Sequence, residues 1–418
     1  MQIDRRSLLA GGSALTFGQL PLPAFAQEKV IKIGAPQDFT KVYTFVTAEY
    51  SQGQRDVITL ANERGGINGY KVLIDVLDHG NDMPRAIEAY ERYKREGYVA
   101  VDPLSTPIAR GLVTRALEDK INLITAFSGR SDAADGSVFP YVMPLSPNYW
   151  SQAAHLIDFF QKQDKDLKGK KVVLVHIDTP FGREPIPIFQ VLAQKLGYEF
   201  QTFPYTPPGN DQSAIWPQVR RAKPDWVVFW GAGVGQTTAL SEAVRNGLPM
   251  DRLSSSTWLS ESDMDVVGKD ACKGVLKFQA CAGGRDPKVI ADIMKEVVAK
   301  AKGAGPEAKV GTSYYNMGVM MGAILLEGMR KAFEKNPNGP INGPWYNEGL
   351  RSITSFNAEG LMAPMSTTKD DHQGGGRGRV ARWDGTKFVP QSDWGNANQD
   401  VVWAEIKKYS EEFKKSGK

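Results

Sequence analysis

The chain has 418 residues, 41% hydrophobic and 23% charged, the composition of a folded globular protein long enough for two or three domains with its own buried core. A formal net charge of +4 is too slight an excess for nucleic-acid binding, which needs a concentrated basic face. Two cysteines exclude a disulfide framework. Cys272 and Cys281 flank a run that reads partly as an extended strand, and extension carries their Cα atoms past the roughly 7 Å limit for a bridge.

The chain opens with an address. Arg5-Arg6-Ser7-Leu8-Leu9 precedes a weakly apolar segment that ends in Ala24-Phe25-Ala26, a small-x-small cleavage site. The arginine pair resembles the twin-arginine export signal, which implies cleavage after Ala26 and a periplasmic mature protein. Gly11, Gly12, Gln19 and two prolines interrupt the segment, whereas a membrane span needs about 20 continuous apolar residues. The later apolar stretch, Met317 to Leu326, is short and reads as a buried core helix.

From Lys29 onward strands and helices alternate. Val30–Gly34 reads as a strand, and a helix through Tyr50, Val57 and Leu60 stops at Gly65-Gly66. Strands at 72–77, 98–101 and 121–124 alternate with helices at 84–94 and 106–119. A boundary at 140–147 precedes a second series. It has helices at 149–161, 185–196, 211–221 and 237–246, and strands at 172–176, 198–200, 226–230 and near Leu253. A long helix over 313–335 returns to the first series, and Val380 to Phe388 alternates about an Asp-Gly turn as a hairpin. Repeated β-α units with apolar strands predict an α/β fold of two doubly wound parallel-sheet lobes joined by several hinge segments. The expected division is lobe one over 27–146, lobe two over 147–283, a return to lobe one over 284–379, and a hairpin and tail over 380–418 on lobe two.

Such sheets bind ligands beyond the carboxyl ends of their strands. Ser105 is positioned to cap a helix starting at Thr106, whose free amides would receive a carboxylate. Thr125 to Arg130 offers Phe127 as a flat wall and Ser128 as a hydroxyl. Asp178 to Gly182, Trp230 with the following glycines, and Trp258 to Glu261 also follow strands. The glycine-rich run from Gly231 to Gly235 sits between a strand and a helix, but Gln236 falls where a dinucleotide fingerprint needs its third glycine. No phosphate loop, nucleophile elbow or metal-binding helix motif is present, and His79, His155, His176 and His372 lack metal-ligand spacing, so neither metal nor cofactor is expected. Gly374 to Arg379 could form an anion nest, but it reads more simply as a flexible connector before the hairpin.

The stretches Ala61 to Val72, Asp78 to Pro84, Asp178 to Glu184 and Pro224 to Gly231 resemble the type I periplasmic binding proteins of branched-chain amino acid ABC transporters, which include the leucine/isoleucine/valine receptors. That resemblance implies a two-lobed trap that closes around a small molecule and delivers it to a membrane permease, most simply as a monomer. In the family a serine matching Ser105 helps bind the ligand carboxylate, and the loop matching Phe127-Ser128-Gly129 supplies a carbonyl and a hydroxyl. A tyrosine of the second lobe is replaced here by Phe181, and Glu261 is the nearest match to the glutamate that holds an ammonium group. The expected ligand is an amino acid or a small carboxylate, including an aromatic one. Its carboxylate would lie at Ser105 and Thr106, its body among Phe181, Trp230 and Trp258, with Phe39 closing one side. A soluble sensory receptor shares the predicted fold. An exported cofactor-dependent oxidoreductase is the third class, and the broken glycine fingerprint weighs against it.

Overall fold

The computed structural model describes residues 29–231 and 233–416; the segment expected to be an export signal, residues 1–26, lies outside the described residues. Strands β1 (Val30–Gln37), β2 (Lys71–Asp78), β3 (Ala100–Val101), β4 (Asn122–Ile124) and β5 (Val142–Met143) form a parallel sheet in the order β2-β1-β3-β4-β5. Helices α1 (Thr44–Glu63), α2 (Met83–Arg95) and α3 (Thr106–Asp119) make its crossovers. β1 is buried along most of its length, as a central strand covered on both faces must be.

Helix α4 (Tyr149–Asp164) opens the second lobe. There β6 (Lys171–Ile177), β7 (Glu199–Tyr205), β8 (Trp226–Trp230), β9 (Leu253–Ser255) and β10 (Leu276–Gln279) alternate with α5 (Pro180–Arg183), α6 (Ile186–Leu196), α7 (Trp216–Ala222), α8 (Val234–Arg245) and α9 (Glu261–Val267). The chain then supplies α10 (Lys288–Ile293), α11 (Ser313–Lys335) and α12 (Gly343–Leu350) to lobe one. It crosses back to add β11 (Arg379–Trp383) and β12 (Phe388–Pro390) antiparallel to the edge of the second sheet, whose order is β12-β11-β10-β9-β8-β6-β7. The two-lobed α/β architecture is therefore the one expected. Helix α13 (Gln399–Ser416) reaches further than a tail confined to lobe two. It packs on α4 and α6, while Ser410 Oγ donates to Asp135 of lobe one at 2.8 Å and the Phe413 ring lies 4.6 Å from Phe139.

Several boundaries shift. The helix expected from 211 starts only at Trp216, because Asp211 and Gln212 are spent on turn hydrogen bonds to Ser213 and to the Gly209 and Gly235 carbonyls. The strand at 199 runs on to Tyr205, since pairing with the full length of β6 outweighs its modest apolar pattern. Cys272 and Cys281 are both free and buried.

The return of the chain to lobe one depends on α1 and α11 crossing at backbone distance. A Cβ on Gly53 would lie 2.2 Å from the Tyr315 carbonyl oxygen, and one on Gly318 would lie 2.0 Å from that of Tyr50. Both obstacles are backbone, which cannot swing aside. Gly318→Val is therefore expected to cost at least about 1–3 kcal/mol of stability, read as a lower denaturant midpoint at unchanged m-value. An unchanged midpoint would show that the helices can separate freely.

Candidate functional site

The strand ends of lobe one are held in place by carboxylates that receive backbone amides. Asp38, just past β1, accepts from the amides of Thr40 at 3.2 Å, Lys41 at 2.9 Å, Val42 at 2.7 Å and Tyr43 at 2.9 Å. This fixes the turn that presents Tyr43, Phe45 and Val46. Asp78, ending β2, accepts from the Phe39 amide at 3.0 Å and the Thr40 hydroxyl at 2.8 Å. In the same turn Asn81, at φ 52°, accepts a hydrogen bond from Ser105 Oγ at 2.7 Å. Ser105 also caps α3, with the Ile108 amide 3.5 Å from its oxygen. Leu104 and Phe127 both adopt left-handed backbone angles, φ 41° and 54°, that apolar side chains rarely take. Such strain persists where surrounding packing over-determines it, and here both residues line the same cavity.

That cavity lies at the seam between the lobes. Lobe one contributes Tyr43, Phe45, Val46, Leu104, Ser105, Thr106, Phe127 and Ser128; lobe two contributes Tyr149, Phe181 and Trp258. The Tyr149 hydroxyl is its polar centre, donating across the seam to the Phe127 carbonyl and accepting from Trp258 Nε1 at 2.9 Å. Edge-on packing holds the rings, with Phe127 and Trp258 centroids 5.8 Å apart and Tyr149 and Phe181 centroids 5.3 Å apart. The free space is about 10 Å³, room for about one water, so a larger guest enters only as the lobes part or the rings turn. Ser128 Oγ is buried with no partner among the described residues.

Of the residues singled out in the sequence, Ser105, Thr106, Phe127, Ser128, Phe181 and Trp258 meet at this cavity. Three do not. Trp230 is fully buried behind the wall, its ring 5.6 Å from Tyr149 and 6.4 Å from Phe181. Phe39 lines a separate open groove of about 630 Å³ with Asp78, Glu49 and Lys309, and Phe45 stands between the two spaces. Glu261 caps α11, accepting from the Ser313 amide at 2.9 Å and its hydroxyl at 3.1 Å. Tyr149 was missed because it reads as an ordinary first residue of a helix. Only its place just after the lobe boundary hinted at a role.

The other sequence signals are structural. A Cβ on Gly231 would lie 2.3 Å from the Tyr205 hydroxyl and one on Gly235 would lie 2.8 Å from the Pro208 carbonyl, so those glycines serve close packing. The nest at Gly374 is filled by the protein's own Asp371, which accepts from the Gln373, Gly374 and Gly375 amides at 2.9, 3.1 and 3.0 Å. His79, His155 and His372 bond backbone carbonyls, and no cluster suited to a metal occurs among the described residues.

Beside the cavity the lobes are joined by Glu184, whose carboxylate bonds Arg110 Nη1 of α3 at 2.7 Å and the Ser131 amide at 2.7 Å. Burial raises its pKa, and the Arg110 guanidinium opposes that rise. On the opposite side Glu49 takes Lys309 at 2.6 Å, the Thr312 hydroxyl at 2.6 Å and the Ser262 hydroxyl of lobe two at 3.1 Å.

Two lobes with a shared seam cavity at their strand ends define a ligand-trapping receptor. A periplasmic binding protein profile matches residues 30–387, most of the chain, and the protein belongs to that family. It resembles the Leu/Ile/Val-binding protein BraC3 of Rhizobium johnstonii, 21% identical over 60% of this chain and 69% of the relative. A Leu/Ile/Val-binding protein homolog of Brucella melitensis is 22% identical over 70% of this chain and 78% of its own. Among solved structures, a protein described as an ABC transporter permease from the Pseudomonas fluorescens group superposes with TM-score 0.86 at 30% identity, covering 93% of this chain and 97% of that one. A Thermus thermophilus branched-chain amino acid ABC transporter protein with bound valine gives 0.79 at 20% identity, over 90% and 99%. A fatty acid ABC transporter substrate-binding protein of Thermomonospora curvata gives 0.74 at 20%, over 90% and 94%. The family is one of binding proteins rather than enzymes, and membership implies a small-molecule ligand and a membrane permease as partner. No described helix is long and apolar enough to cross a membrane.

Two buried acids flank the cavity. Asp102 is pushed up to about 6 by burial, against hydrogen bonds from Gln54 at 2.7 Å and Tyr50 at 3.1 Å. Asp263 is likewise pushed up to about 6 by burial, against bonds from the Ser260 amide, Tyr314 and Gln236. A folded pKa above the unfolded 3.8 means the folded state holds more protons between those values, so these groups make stability fall as pH rises from about 4 to about 6. Asp102→Asn and Asp263→Asn should each flatten that fall in calorimetric melting between about pH 4 and pH 7. A steeper fall in the variants would reverse the assignment.

Proposed function

We propose that the protein is the soluble receptor of an ABC importer, exported to the periplasm, which captures an amino acid or small carboxylate by closing its lobes and presents it to the permease. The observation that carries this reading is a strand-end cavity walled from both lobes, with Ser128 Oγ unpartnered among the described residues and the first turn of α3 at its edge. Pro107 has no N–H and the Ile108 and Ala109 amides bond Ser105, so the Thr106 amide and the positive dipole end of α3 are what would favour a carboxylate there. Ser105 would act by shaping that turn, since its hydroxyl is already given to Asn81. Phe127, Phe181 and Trp258 would pack against the ligand body, and Trp230 would back them. The valine named for one structural neighbour and the fatty acid named for another are both carboxylates with apolar bodies, which agrees with this chemistry.

Calorimetric titration of the mature protein with leucine, isoleucine, valine, phenylalanine, benzoate and phenylacetate is the direct test. At least one of these should form a one-to-one complex, and Ser105→Ala should weaken it by about 5-fold through the lost helix cap. The receptor reading fails if none binds and native mass spectrometry finds no small molecule carried through purification.

A further inference from the structure

The cavity wall contains no acidic side chain, and the carboxylates near it in sequence are engaged elsewhere: Glu49, three after Val46, by Lys309, Thr312 and Ser262, and Asp178, three before Phe181, by Arg183. Asp38, five residues before Tyr43, is saturated by backbone amides. Asp102, two before Leu104, serves Gln54, Tyr50 and the Leu104 amide. Glu184, three after Phe181, is held by Arg110 and Ser131. Glu261, three after Trp258, is turned onto the α11 cap, and Asp263 serves Ser260, Tyr314 and Gln236. The Phe127 carbonyl already accepts from Tyr149. An ammonium group brought into this space would be desolvated against aromatic rings with no counter-charge, a heavy penalty inside a protein. A carboxylate is desolvated there too, but it meets the positive dipole end of α3, the Thr106 amide and the unpartnered Ser128 hydroxyl.

We infer that the ligand class is a small monocarboxylate with an apolar body and no α-ammonium group, so that the binding site discriminates against amino acids. This rests on the receptor reading above and narrows it. Tyr149 and Trp258 stand where a counter-ion would be needed; their hydroxyl and indole N–H are spent on the Phe127 carbonyl and on each other, so they present neutral ring surface and no charge. Replacing an acidic partner with such groups selects by making the ammonium costly rather than by adding contacts to the favoured ligand.

The test compares ligands that differ only in the amino group: leucine against 4-methylpentanoate, and phenylalanine against 3-phenylpropionate, by calorimetry on the mature protein. The deaminated member of at least one pair should bind at least ~10-fold more tightly. Glu261→Gln, which keeps an acceptor for the Ser313 amide, should leave that affinity and preference unchanged. Equal or tighter binding of the amino acid overturns the inference while leaving the receptor reading intact. So does a loss of binding in Glu261→Gln whose circular dichroism and melting match the parent. If neither pair binds, the proposed ligand class is wrong, and the molecule found by native mass spectrometry decides separately whether the protein is a receptor.

Discussion

Glu184 is the contact on which the seam between the lobes most depends. Its carboxylate sits on lobe two, yet both of its charge-assisted partners, Arg110 and the Ser131 amide, belong to lobe one. Its own carbonyl accepts from Trp150 Nε1 at 2.8 Å, so backbone and side chain are both engaged. Glu184 is the buried member of the pair and Arg110 the part-exposed one, so losing Arg110 would leave the carboxylate in the interior with the Ser131 amide as its remaining partner. Phe181 lies three residues before Glu184, and the position of that ring against Tyr149 follows from where the carboxylate is anchored. The width of the cavity is in this sense set outside the cavity. Helix α13, beyond the part matched by the family profile, adds a second tie, because Lys407 and Ser410 both reach Asp135 while Lys195 of α6 holds Asp400.

A second regularity is the use of aspartates as internal scaffolding. Asp38, Asp78 and Asp371 each gather backbone amides at a point where the chain leaves a strand or crosses between lobes. A carboxylate that accepts several amides keeps a loop in one shape without a metal or a disulfide. The consequence for function is chemical. Glu261, the acid the sequence offered for ligand binding, is likewise spent on the chain's own groups at Ser313, and the cavity wall is left neutral and aromatic.

Much of this was legible in the sequence. Apolar runs such as Val172 to Val175 and Trp226 to Trp230 could only be doubly covered strands, and their alternation with helices fixed the fold class. Ser105, Thr106, Phe127, Ser128, Phe181 and Trp258 could be picked out because the rule about strand ends needs only strand positions, which patterning supplies. Trp230, Phe39 and Glu261 follow the same rule and do not line the cavity. Being the last residue of a strand does not say which face a side chain takes, and a one-residue change reverses it. Tyr149 carried no signal of its own, because a helix start presents its side chain to whatever stands opposite, and here that is the other lobe.

The sequence by itself determined the two β-α series and the loops that follow their strands, because periodicity and turn chemistry are local properties. Only the tertiary structure decided which side chains meet across the seam, that Tyr149 joins Phe127 to Trp258, and that Glu261 caps a helix. Those outcomes join residues far apart in the chain. They were settled by competition for hydrogen-bond partners within a closed interior, where each buried polar group must be satisfied and each partner can be used only so often.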